Sequence, residues 1–363
     1  MKTSRTIRAA LALVAAIGLT AGCDRVDQLQ SYNEPGNTPP PDKGAAAELR
    51  LGYLPNVTHA AALIGVQKGL FAAELGIDTK LTTQTFNDGT EAVAALLGDS
   101  LDIAFLGPGP AINAFDKSEG TIKLIAGATS GGVQLVAQPG IDSAEQLRGK
   151  KVGTPKLGNT QDIALKKWLH ERDVPAGGGS DEVTIVNTDN PQTFDAFRGG
   201  QLDAAWLPEP WASRLVLDAG ASVVLDEREL WPSGKYPTTV VVARTQFLHD
   251  HPQTVQAFLR GELAAIDWAA GNRAEAEKVV NSALQELTGK ALAEPVVKRA
   301  LGNVTLGPDP LASTFRQLAA DAVTAEVAKT APDLAGFADL SALNAVLTAA
   351  GQPTVDAAGL DTK

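Results

Sequence analysis

From Glu48 onward the chain alternates short apolar runs with longer stretches whose apolar positions recur every three or four residues. The apolar runs predict strands at Leu49–Tyr53, Thr79–Phe86, Leu101–Leu106, Ile122–Ala128 and Val133–Ala137, and the pattern between them predicts helices at Ala60–Phe71, Glu91–Leu97 and Ala111–Lys117. After Leu147 the rhythm restarts. Strands are expected at Lys151–Gly153, Val183–Asn187, Ala204–Leu207, Val223–Leu225 and Val240–Ala243, with helices over Asp162–Glu171 and Thr193–Arg198. Beyond Pro252 nearly everything reads as Ala-rich helix. Strand, helix, strand in this order means parallel β-α-β units, so the chain reads as α/β, with two such units and a helical C-terminus. A length of 363 residues suits two domains with real cores.

Open α/β sheets bind ligands beyond the carboxyl ends of their strands, where loops lead into helix N-termini with free N–H groups. Spacing alone therefore names five junctions: 53–59, 87–90, 107–110, 156–161 and 206–211, each rich in Gly, Pro, Asn or Thr. Taken singly, each is ordinary turn and cap chemistry, with Asn159 or Thr160 as an N-cap and Asp88 with Glu91 as a capping box. Taken together, they describe a cleft lined by amide donors, which suits a small oxyanion. Lys156 is the one full cation in these loops, so the expected ligand is weakly charged. Tyr53, Trp206 and Trp211 are candidate apolar walls, and Trp206, at a strand end, is preferred to Trp211.

Composition narrows the classes. Lys plus Arg number 31 against 42 Asp plus Glu, a formal charge of −11, which argues against a nucleic-acid partner. One Cys excludes an intrachain disulfide and a Cys-based zinc site, and four His leave little for a multi-histidine centre, so no metal or cofactor is expected. His249 and His251, ahead of Pro252, read as a solvated helix cap. Gly177–Gly179 has no following Lys-Ser/Thr and reads as a flexible turn.

The N-terminus has its own logic. Lys2, Arg5 and Arg8 precede an apolar run, Ala9–Leu19, too short for a stable bilayer anchor. Residues 1–22 read as a secretory signal ending in Leu19-Thr20-Ala21-Gly22 before Cys23, a pattern resembling the lipobox of bacterial lipoproteins. Cys23 is then the lipidation site, and loss of the three basic residues takes the balance to −14. Residues 23–47, with Pro35 and Pro39-Pro40-Pro41, read as a flexible tether.

Several segments in one order carry a family resemblance: Gly52-Tyr53-Leu54-Pro55, Gln67-Lys68-Gly69-Leu70-Phe71, the stretch 101–110, Gly158-Asn159-Thr160-Gln161-Asp162, the stretch 204–211, and the C-terminal 333–344. From Glu48 to Val355 the chain resembles the substrate-binding proteins of nitrate, taurine and aliphatic-sulfonate ABC importers. The resemblance implies a type II periplasmic-binding-protein fold, two doubly wound α/β lobes joined by two hinge strands. Lobe I would comprise 48–138 and 239–363, lobe II 139–238, with crossovers near Gly132–Gln138 and Tyr236–Ala243. It implies an oxyanion held by Asn56, Gly107, Pro108, Ser130, Asn159 and Thr160, with Tyr53, His59, Asn87, Gly109, Lys156, Gly158, Gln161, Trp206 and Glu209 completing the candidate site. Taurine-type relatives carry an acid directly before the first Pro of the tryptophan loop; here that position is Leu207 and the acid is Glu209, which favours an uncharged tail and puts an aliphatic sulfonate first. Nitrate, taurine or a thiamin-type pyrimidine are the alternatives.

The implied partners are a permease and an ATPase. The carrier would be monomeric, extracytoplasmic and held to the membrane through lipid on Cys23. A related enzyme class, the thiamin-pyrimidine synthases, has a Cys-rich iron motif that this chain lacks, so no catalysis is expected. A ligand sensor feeding a membrane kinase is the rival binding role.

Overall fold

The computed structural model describes residues 42–362, so the signal, Cys23 and most of the tether lie outside the described residues. The strands are β1 (Glu48–Tyr53), β2 (Lys80–Thr85), β3 (Ile103–Leu106), β4 (Ile122–Gly131), β5 (Val133–Ala137), β6 (Lys151–Thr154), β7 (Thr184–Asn187), β8 (Ala204–Pro208), β9 (Ser222–Asp226), β10 (Pro237–Arg244) and β11 (Val304–Leu306). The helices that follow the strands are α1 (Ala60–Gln67), α2 (Leu70–Leu75), α3 (Gly89–Leu97), α4 (Pro108–Lys117), α5 (Thr160–His170), α6 (Asn190–Arg198) and α7 (Trp211–Ala219). The C-terminal helices are α8 (Thr245–Asp250), α9 (Pro252–Gly271), α10 (Arg273–Thr288), α11 (Glu294–Gly302), α12 (Phe315–Thr324) and α13 (Ser341–Ala349).

They form two sheets, ordered β11-β4-β10-β3-β1-β2 and β7-β6-β8-β5-β9. In the first, β1 runs parallel to β2 and β3, while β10 is antiparallel to β3 and β4. In the second, β6 is parallel to β7 and β8, while β5 is antiparallel to β8 and β9. Successive residues of each strand feed opposite cores. Leu49, Leu51 and Tyr53 point into one core with helices α1, α2 and α9, whereas Ala104, Leu106, Val240 and Val242 point into another with α3, α4 and α12. Helices thus cover both faces of each sheet, the doubly wound arrangement.

The chain first changes sheet at Gly131–Gly132, the upstream end of the crossover expected over Gly132–Gln138. β5 pairs with β8 and β9, so 133–137 belong to the second sheet and the expected boundary moves upstream. The physical reason is local. Gly131 and Gly132 have φ of 75° and 78°, and a Cβ on Gly132 would lie 2.4 Å from Val304 Cγ1. The return crossing runs through the turns 227–230 and 232–234 to β10.

Three further differences have simple causes. Gly69, at φ 67°, divides the single helix expected over Ala60–Phe71 into α1 and α2. α4 begins at Pro108, inside the predicted loop, because Pro at the first helical position gives up an N–H that has no partner anyway. β11 lies in a region read as nearly all helix. The expected tether also ends early: Lys43 N–H donates to Asp250 O, the Lys43 ammonium pairs with Asp250 at 2.8 Å, and Ala46 N–H donates to Thr254 Oγ1. His251 Nδ1 lies 2.8 Å from Gly44 O, so the His249–Pro252 segment receives the chain's incoming strap instead of standing as a solvated cap.

Candidate functional site

The carboxyl ends of β1, β3, β6 and β7 face one another across the two sheets, and a cavity of about 50 Å³ lies between them. Asn56, His59, Asn87, Gly107, Asn159, Thr160 and Gln161 line it. So do Asp88, Asn190 and Thr238, which the sequence reading did not select. Asn190 had a signal: Asp189-Asn190-Pro191 follows β7 as a sixth strand-to-helix junction. Thr238 had none, since it is the second residue of a strand whose residues are nearly all buried.

The α5 N-terminus is the cavity's main source of positive potential. Asn159 is its N-cap without a side-chain cap bond, so the first-turn N–H groups of Thr160 and Gln161 have no acceptor among the described residues. Asp162, fully buried, holds this terminus in place by accepting from Gly158 N–H, Lys166 Nζ and Asn187 Nδ2. Gly158, at φ 77°, supplies the turn and does not line the cavity.

The other termini contribute differently. Pro108 and Pro110 have no N–H, and Gly109 N–H donates across the cleft to Thr160 Oγ1 at 3.1 Å, so α4 closes the gap instead of offering free donors. Asp88 accepts from Thr90 and Glu91 N–H, which occupies two donors of the first turn of α3. His59 is buried, and Leu54 N–H donates to its Nδ1 at 3.3 Å, which leaves the proton on Nε2. Burial pulls its pKa down to about 3, so it is a neutral donor. Asn56 Oδ1 accepts from Trp211 Nε1 at 3.0 Å, a second bond between the two lobes. Asn190, 8% exposed, has an Oδ1 with no partner.

The remaining sequence candidates are placed elsewhere. Tyr53 and Trp206 are core residues. Trp206 is fully buried, packs edge-on against Trp168 and donates Nε1–H to Glu227 at 2.8 Å. Lys156 is not a free cation, since it pairs with Asp189 at 2.9 Å and approaches Asp88 at 3.9 Å, spanning the cleft mouth. Glu209 is fully buried among Ser213, Arg299 and Asn303. Ser130 sits in β4 between β10 and β11, outside the cavity. Pro108 and Gly109 begin α4 beside the cavity without lining it. Among the described residues no group of His, Cys, Asp and Glu could hold a metal ion.

Two doubly wound lobes with two connections and a small polar cavity between strand ends define a periplasmic-type binding protein of the α/β class. The chain belongs to the NMT1-like family, whose model matches residues 42–284. The taurine-binding periplasmic protein of Escherichia coli K12 is 28% identical over 199 residues, 54% of this chain and 58% of that protein. The bicarbonate-binding protein CmpA of a Synechococcus strain is 23% identical over 298 residues, 72% of this chain and 62% of that protein. Among solved structures, the alkanesulfonate-binding protein SsuA of Xanthomonas axonopodis pv. citri, bound to MOPS, superposes with a TM-score of 0.64 at 20% identity, covering 79% of this chain and 95% of that one. The chain is a binding protein of the nitrate, taurine and sulfonate family.

Proposed function

We propose that this protein is the extracytoplasmic solute-binding component of an ABC importer and that it captures a compact monovalent oxyanion between its lobes. The observation that supports this most is the convergence, in one small polar cavity, of the unpaired Thr160 and Gln161 amides with the neutral His59 side chain. The anion would accept from the α5 amides, from His59 and from the amide groups of Asn56, Asn159 and Gln161. No full cation is spent on it, because Lys156 is already paired. Ligand touching both lobes would stabilise the closed arrangement that Gly109–Thr160 and Trp211–Asn56 already favour. No bond is broken, and delivery to a permease and its ATPase is the output.

Size decides between ligands. One water needs ~10–15 Å³ of such space, so 50 Å³ holds a headgroup and little more. A short-chain aliphatic sulfonate is the first ligand. The small volume, with Tyr53 and Trp206 removed to the cores, favours nitrate or bicarbonate as the second reading. A thermal-shift screen of methanesulfonate, ethanesulfonate, taurine, nitrate, bicarbonate and sulfate tests this. A ligand at 1,000 times its dissociation constant should add ~4 kcal/mol of stability, and Asn159→Ala should remove the shift. If every anion in the panel left the melting temperature unchanged, the reading would fail. Lipid on Cys23, outside the described residues, is proposed as the membrane anchor; Cys23→Ser should release the protein into the soluble fraction.

A further inference from the structure

A second cavity, of about 590 Å³, lies beside the Gly109–Thr160 hydrogen bond, lined by α5, the turns at 227–235, residues 311–314 and α12 as far as Asp321. Its volume is that of a site for a whole small organic molecule, whereas the cleft holds only a headgroup. Its apolar walls include Ile163, Leu230, Leu318 and two indoles, Trp168 and Trp231. Trp168 already carries a cation over its ring, the Arg172 guanidinium at 4.5 Å from the centroid.

The charges around this chamber do not balance. Glu171, Glu227 and Asp321 line it with Lys167 and Lys235, and Lys167 is committed to Glu171 at 2.9 Å. Asp321, on α12, is 4% exposed; its Oδ1 accepts from Gln317 Nε2, and its Oδ2 has no partner among the described residues. Glu227, from the lobe-crossing turn, is 2% exposed and accepts only indole N–H. Two nearly buried carboxyls from different elements thus face one aromatic-walled space without a committed cation between them.

We propose that this chamber is a second binding site, selective for a small organic cation of the alkyl- or aryl-ammonium class. The ammonium would sit against Asp321 and Glu227, with its apolar substituents on the indoles and on Leu230 and Leu318. Burial pushes the Glu227 carboxyl up to about 7 and raises Asp321 as well, with Lys167 opposing the rise at Asp321, the condition expected of carboxyls that make no ion pair of their own among the described residues. An anionic guest would meet these acids, and the Gly109–Thr160 bond stands between this chamber and the cleft. The proposal is independent of which anion occupies the cleft.

The test is a calorimetric and tryptophan-fluorescence titration of the full chain with choline and benzyltrimethylammonium, each compared with 3,3-dimethylbutan-1-ol, the uncharged isostere of choline. The cations should bind one per chain and at least about tenfold more tightly than the isostere, a difference of ~1.4 kcal/mol. Asp321→Asn and Trp231→Ala, checked for native melting curves, should each weaken cation binding about tenfold or more, while Asn159→Ala and saturating nitrate or methanesulfonate should leave it unchanged. Absence of cation binding, equal binding of the isostere, full affinity in a folded Asp321→Asn variant, or displacement of the cation by the anion would each overturn the proposal.

Discussion

His59 shows how much one buried side chain can carry. Its folded-state pKa is about 3, against an ordinary value of 6.5, because burial disfavours the imidazolium. Between those two values the unfolded chain binds more protons than the folded one, so stability rises with pH through that window and is lost as pH falls below 6.5. The cost is about 1.4 kcal/mol per pH unit. His59→Gln keeps a side-chain donor but cannot titrate, so urea unfolding at pH 7.5 and 4.5 should show a smaller loss in the variant than in the parent. An equal loss would show that His59 is not the neutral donor described. Tyr53 and Trp206 teach a different lesson at this scale. Leu49, Leu51 and Tyr53 alternate onto one core face, and that period-two pattern was available in the sequence. Trp206 lies in the run Ala204–Leu207, buried on both faces, where alternation carries no signal and a wall residue looks the same as a core residue.

At the scale of elements, the site depends on two helix N-termini with opposite duties. α5 presents free amides, while α4, whose first turn is Pro108-Gly109-Pro110, can give only the Gly109 N–H and gives it to Thr160. A Cβ on Gly109 would lie 3.1 Å from Thr160 N and from Thr160 Oγ1, so it would press the two helices apart. Ala is the better helix former by roughly 1 kcal/mol. Gly109→Ala should therefore leave the melting temperature unchanged or slightly higher while weakening anion binding about tenfold or more in a calorimetric titration. Undiminished affinity would show that the two termini need not meet for capture. The glycine and proline signals of both helices were legible in the sequence. Their division of labour was not, because it depends on which terminus faces which.

At the scale of the whole molecule, a buried polar network ties the lobes together beside the first crossing. Glu209, just after β8, accepts from Arg299 Nη1 at 3.2 Å and Asn303 Nδ2 at 2.6 Å, and Arg299 Nη2 donates to Gln134 Oε1 on β5. Removing one partner of a buried pair leaves the other charge uncompensated, so Glu209→Ala should cost about 3–5 kcal/mol in urea unfolding. Glu209→Gln, which still accepts hydrogen bonds, should cost less. If the two variants were equally destabilised, the hydrogen bonds to Glu209 would add nothing beyond its charge. Glu209 stood out in the sequence as the acid of the tryptophan loop, but its role at the hinge depends on Arg299 and Asn303, 90 and 94 residues away along the chain.

The sequence by itself determined the α/β rhythm, the two repeating units, the strand-to-helix junctions and the acidic balance, because periodicity, turn residues and charge are local properties of the chain. The tertiary structure decided which junctions share the cavity, that Lys156 is neutralised by Asp189 and Asp88, that Trp206 belongs to a core, and that the sheets exchange at Gly131–Gly132. These are matters of distance between residues far apart in the chain. Hydrophobic spacing reports which face of an element is buried, and it is silent about what lies on the other side of that face.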